Sequence, residues 1–175
     1  MTATITHSNP KALHKVYENL AGACKRVVAV GFPQDKQKAY PDGTSVASVA
    51  AWNVYGVPSR GIPARDFMGK ARPDIISHQK DVVQKINNRT LSEAGTDTML
   101  KTLGEYAMQD IQNAILATTD PPNADSTIAK KMGIKGSNIR SKKLLAQAKA
   151  AGSSHVLIDT GLMIGSVMYT VRDKE

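Results

Sequence analysis

Apolar positions at the start of this chain recur at helical spacing. Asn9-Pro10 reads as an N-cap followed by proline at the first helical position, and Leu13, Val16, Tyr17 and Leu20 then keep to one face. That pattern predicts a helix over about 10–23. From Arg26 to Phe32 (RVVAVGF) the pattern becomes a β-branched run closed by Gly31, Phe32 and Pro33, which predicts a strand entering a turn. Pro41-Asp42-Gly43 marks a second turn. Thr44 or Ser45 can cap a short helix that carries Val46, Val49, Ala50 and Val54 on one face, with Gly56 suited to a left-handed terminating residue.

Two prolines and a glycine within Val57 to Pro63 (VPSRGIP) require a loop, and Ala64 to Met68 reads as a short extended piece. Pro73 suits the first turn of a further helix, striped by Ile75, Ile76, Val82, Val83 and Ile86 and ending near Asn87-Asn88. Leu100, Leu103, Ala107, Ile111, Ala114 and Ile115 hold one face long enough to predict a long helix near 97–118, stopped by Asp120-Pro121-Pro122-Asn123. A loop with a short helix over Ser141 to Ala151 should follow. The end of the chain has an extended Leu157-Ile158-Asp159, a Thr160-Gly161 turn, and an alternation of Val167, Tyr169 and Val171 that suits one sheet face. The sum is an α+β pattern: a small, mostly antiparallel sheet flanked by helices.

At 175 residues, with 41% apolar and 22% charged positions, the chain fits a single globular domain spanning 1–175. One cysteine, Cys24, allows neither an intrachain disulfide nor a thiolate zinc site. No run reaches the length of a membrane span and the first ten residues lack a signal-peptide pattern, so no membrane partner is expected and synthesis in a reducing cytoplasm is. The net charge is +8, and its placement matters more than its size. No Asp or Glu occurs from Ser126 to Ile158, where Lys130, Lys131, Lys135, Arg140, Lys142, Lys143 and Lys149 all fall.

Reactive groups do not converge. His7, His14, His78 and His155 have no metal-binding spacing, the glycines of GIKGSN and VGFP do not form a phosphate loop, and Asp159-Thr160-Gly161 lacks the framework of an aspartic protease. The expectation is therefore no enzyme, no catalytic or metal residues and no cofactor. Cys24 reads as a small core residue and Trp52 as a packing anchor, either of which could lie in a subunit contact. The basic run over 130–149 supports two readings: docking onto an acidic partner surface, or sequence-independent nucleic-acid binding. It lacks the interleaved aromatics typical of single-strand binding.

Four blocks in sequence add a resemblance. VVAVGFPQDKQKAYPDGTSVASVAAWNVYG (27–56), IPARDFM (62–68), PPNADSTIAKK (121–131) and LIDTGLMIGSVMYTVR (157–172) resemble, in order, motifs of the neck, tail-completion and minor-tail-protein group of tailed bacteriophages. The matching positions are Asp42, Gly43, Asn53, Gly56, Pro63, Arg65, Phe67, Pro122, Asn123, Ser126, Thr127, Asp159, Thr160, Gly161 and Ser166. They are read as fold determinants, with interface residues in the variable loops. The chain departs from the pattern in three places: Val54 replaces a common acid, Asp66 a common proline, and a basic insertion occupies about 132–156.

The resemblance implies a non-enzymatic virion protein that forms a homo-oligomeric ring of about six or twelve copies around the DNA channel. It would act as a neck or collar, tail-completion or tail-terminator component joining tail to head. Its partners would be itself, neighbouring neck and tail proteins and packaged DNA. The basic residues from Lys130 to Lys149 are the docking candidates, and the alternative function is a sequence-independent DNA-binding protein using the same segment.

Overall fold

The computed structural model describes residues 25–33, 38–87, 93–133, 142–150 and 155–174, together with Lys11, His14, Tyr17, Glu18, Ala21 and Gly22. Those six early positions have helical backbone. The rest of the helix expected over 10–23, and Cys24 with it, lies outside the described residues.

β-branched residues fill β1 (Arg26–Gly31), which pairs antiparallel with β2 (Met168–Asp173), Val28 opposite Val171 and Val30 opposite Tyr169. These are the two strands of the small sheet. Between them in sequence run α1 (Val46–Tyr55), a 3-10 turn (Pro58–Arg60), α2 (Phe67–Asn87), α3 (Glu93–Ala117), α4 (Asp125–Lys131), α5 (Lys142–Ala150) and a 3-10 turn (Ile164–Ser166). The architecture is α+β.

Caps explain where the helices start. Ser45 has extended backbone and its Oγ accepts the Ser48 amide at 3.1 Å, so α1 begins where its hydroxyl cap was expected. α2 begins six residues before the proline expected in its first turn. The Oδ1 of Asp66 accepts the Gly69 N–H at 2.8 Å and starts the helix at Phe67, leaving Pro73 inside it and replacing the last two residues, Phe67 and Met68, of the extended piece expected over 64–68. The apolar stripe is also narrower than expected. Phe67, Ala71, Val82 and Ile86 are buried, whereas Ile76 and Val83 are 39% and 44% exposed. α3 likewise begins at Glu93, ahead of the expected 97.

α1, α2 and α3 close over one core. Val46 and Ala50, Phe67 and Ala71, and Ile111, Ala114 and Ile115 meet Val156, Leu157, Met163 and Val167 there, with Phe32 edge-on to Phe67 at 6.4 Å. His78 and the buried Asp110 tie α2 to α3 at 2.8 Å, and the imidazole stacks on Tyr106. α3 also underlies both strands. There, a Cβ on Gly104 would stand 2.2 Å from the Tyr169 ring, so the glycine forms the seat on which β2 rests.

Gly104→Ala is accordingly expected to lose about 1–3 kcal/mol by overpacking. An open helix interior would gain roughly 1 kcal/mol from the same change. Urea denaturation reads the difference, and Tyr169→Ala in the same chain should recover part of it. A Gly104→Ala chain at least as stable as the wild type would show that the ring moves aside freely.

Candidate functional site

Chain segments far apart in sequence meet around one buried guanidinium. Arg65 is 6% exposed. Its Nε donates to the Pro121 carbonyl at 2.8 Å, and its Nη2 to the Pro122 carbonyl at 3.1 Å and to Asn123 Oδ1 at 3.4 Å. A planar fork of donors suits three acceptors arrayed along a bend. The Arg65 amide donates to the Asn53 carbonyl at 2.6 Å, which joins the end of α1 to the same point. Burial pulls the guanidinium pKa below its ordinary value.

Lys131 repeats the device one layer away. At the end of α4 its Nζ donates to the His155 carbonyl at 2.7 Å and to the Ile158 carbonyl, while Asn123 Nδ2 reaches His155 O at 3.2 Å. Desolvation lowers the Lys131 pKa, Asp159 opposes that shift and Arg65 adds to it. Leu157-Ile158-Asp159, expected as extended, instead lies in irregular bends because its flanking carbonyls are drawn to this ammonium. α4 itself was not foreseen. Its signal was Asp125 at the first position and Lys130-Lys131 at the last, each complementing the helix dipole.

Turns complete the cluster. The Tyr40 N–H donates to the Thr44 carbonyl at 2.9 Å across Asp42-Gly43, Asp42 Oδ1 accepts the Thr44 amide at 3.0 Å, and Gly43 takes φ 82°. The Thr44 amide bond holds the Asp42 carboxyl below its ordinary pKa. Gly161 takes φ 74° beside Thr160, whose hydroxyl accepts the Leu162 amide at 3.3 Å. Ser166 is buried and donates to the Leu162 carbonyl at 2.6 Å. Tyr40, Asp42, Trp52, Asn53, Thr127, Lys131, Asp159 and Thr160 line a cleft of about 510 Å³ between these turns and α1. Burial, then Asp159 and Asp42, raise the Tyr40 phenol pKa.

Thus residues of all four sequence blocks are brought together: Asp42 and Asn53, Arg65, Pro122 and Asn123 with Thr127, and Asp159 and Thr160. Phe67 lies in the core beside them, Gly56 sits under the bend that delivers Arg65, and Pro63 and Ser126 are exposed at the periphery. Gly56 has φ 75° and ψ 162°, not the left-handed helical conformation expected of it. Trp52 is a half-exposed wall of the cleft, with the Arg60 guanidinium 4.7 Å from its ring, and not a core anchor.

The basic docking candidates separate into different states. Lys130 and Lys143 are exposed, and Lys149 pairs with Asp125 at 3.0 Å, tying α5 to α4. Lys131 serves the carbonyl clamp just described and so is not available as a free docking charge. Lys142 begins α5 with its side chain outside the described residues, where Lys135, Arg140 and about half of the insertion over 132–156 also lie.

Among the described residues no group of three or more His, Cys, Asp or Glu side chains is placed to hold a metal, and no helix is long and apolar enough to cross a membrane. The chain matches no family profile, no curated protein and no solved structure.

Proposed function

We propose that this chain is a structural, non-enzymatic component of a tailed-bacteriophage particle, assembling as a ring at the head–tail junction and joining tail to head around the DNA channel. One observation supports this reading above the others. The four sequence blocks that resemble the neck and tail-completion group are not scattered over the surface but meet at the Arg65 and Lys131 clamps. A shared pattern is therefore spent on holding one scaffold, which leaves the exposed loops and helix faces to meet neighbouring subunits. Those surfaces include Tyr55, 82% exposed at the end of α1.

Imaging of intact particles, at a resolution that traces chains in the neck, tests the proposal. The expected result is a symmetric ring of this chain between portal and tail tube, with Lys130 and Lys143 against an acidic surface of a neighbouring ring. Absence from the mature particle would overturn it. Sequence-independent DNA binding would then lead, and it predicts duplex binding that weakens steeply with salt.

A further inference from the structure

Single apolar side chains on a surface are ordinary, but the end of α1 carries two aromatics beside a cation. Trp52 and Tyr55 stand three residues apart and are neighbours on the helix surface. Tyr55 is 82% exposed, and Trp52 is half-buried at the wall of the cleft. The 3-10 turn after α1 brings Arg60 back over the indole, its guanidinium carbon 4.7 Å from the ring centroid. None of the three belongs to the core.

The turn is tied down, so the guanidinium is presented at a fixed place. Val57 and Ile62 exchange both bonds of an antiparallel bridge, the Val57 N–H to the Ile62 carbonyl at 2.8 Å and the Ile62 N–H to the Val57 carbonyl at 3.1 Å. The Arg60 amide donates to the Val57 carbonyl at 2.9 Å, and Gly61 closes the turn at φ 65°. A guanidinium stacked on a ring keeps its in-plane N–H groups for an acceptor. Among the described residues no hydrogen bond or ion pair engages that fork, the Trp52 Nε1–H or the Tyr55 hydroxyl. Asp42 and Asp159 line the same cleft as Trp52, yet neither pairs with Arg60.

We infer that this patch docks an acidic segment of another protein, one carboxylate taking the Arg60 fork while an apolar side chain beside it covers Tyr55. Charge complementarity sets the first part. A planar carboxylate matches a guanidinium with two parallel bonds, and the net charge of +8 draws acidic partners to the chain. Residue type sets the second, because Trp, Tyr and Arg are the side chains that dominate binding energy at protein interfaces. Nucleic acid fits less well. Arg60 covers an indole face on which a base would stack, and its neighbours Pro58 and Ser59 add no second cation to follow a phosphate backbone. The inference goes beyond the ring proposed above and does not depend on it.

Trp52 is the only tryptophan, so its fluorescence reports this patch in the full-length chain. Acrylamide should quench it readily. Emission shielded from the quencher would show that another part of the chain covers the ring, and would overturn the inference. A randomised peptide library is then panned in parallel against the wild type and Arg60→Met. The expected result is enrichment, on the wild type alone, of peptides with Asp or Glu beside an apolar residue.

An enriched peptide should shift Trp52 emission saturably, and Arg60→Met should weaken its binding at least about tenfold. Arg60→Lys should recover only part of that loss, since an ammonium keeps the charge without the fork. Tyr55→Ala should weaken binding severalfold, and a peptide with its carboxylate replaced by the amide should not bind. Both substituted positions are exposed, so circular dichroism should stay unchanged. No enrichment, or peptides that bind Arg60→Met as well as the wild type, would overturn the inference. Tighter binding of oligothymidylate than of any acidic peptide would overturn it in favour of single-stranded nucleic acid. Particle imaging judges the neck reading separately.

Discussion

Arg65→Met should destabilise the chain by about 1.5–3 kcal/mol, the range for hydrogen bonds to a charged group. Methionine keeps most of the buried stem volume but leaves the Pro121 and Pro122 carbonyls without their donors. Arg65→Lys should recover only part of the loss, because an ammonium cannot span acceptors arrayed along a bend as a planar fork does. Asn123→Ala, which removes the longest of the three side-chain contacts and the bond to His155, should cost less than either. Urea denaturation with a common slope ranks the set. Hydrogen exchange adds the location: protection should fall first in α4 and around 155–158, which depend on the same turn. An Arg65→Met chain within about 0.5 kcal/mol of wild type, the range of ordinary surface changes, would mean that water replaces the clamp without loss.

This clamp shows how far the sequence could be read. Arg65, Pro122 and Asn123 were each identifiable as motif positions, because their order and spacing carry the resemblance. Nothing in a one-dimensional string states that a side chain in one block bonds carbonyls more than fifty residues away, since a backbone carbonyl has no sequence signature. The same limit hid the role of Lys131. A lysine inside a basic run looks like a solvated charge until the fold brings the His155 and Ile158 carbonyls to it.

Local rules succeeded where one interaction dominates. Ser45 caps α1, β-branched residues place β1, and the apolar face from Leu100 to Ile115 defines α3. They failed where two signals competed. Pro73 and Asp66 both mark a helix start, and the carboxylate prevails because it satisfies an amide that would otherwise be orphaned, whereas a proline within α2 forgoes a single hydrogen bond. The small sheet was foreseen from a β-branched run near the start of the chain and an alternation near its end. Its pairing of the first strand with the last was not, because register between segments so far apart depends on the core that joins them.

Gly56→Ala should bring a loss of about 3 kcal/mol, combining a backbone conformation that L-residues avoid with a steric clash against main chain. At φ 75° and ψ 162° an added Cβ would stand 2.8 Å from the Ala64 nitrogen and 3.1 Å from the Ile62 carbonyl oxygen. These are backbone atoms, so no rotamer change relieves the contact. The segment over 62–64 would have to move, and it is the segment that delivers Arg65 to Asn53 and to the 121–123 turn. Gly61 supplies the control, with φ 65° in the left-handed region and open space around its Cβ position. Gly61→Ala should cost only about 1 kcal/mol, and Gly61→Asn less still. Because the Gly56 substitution acts through the position of Arg65, the double variant Gly56→Ala with Arg65→Met should be more stable than the sum of the two losses predicts. Strict additivity would show that the glycine serves only its own turn and that the clamp forms independently of it.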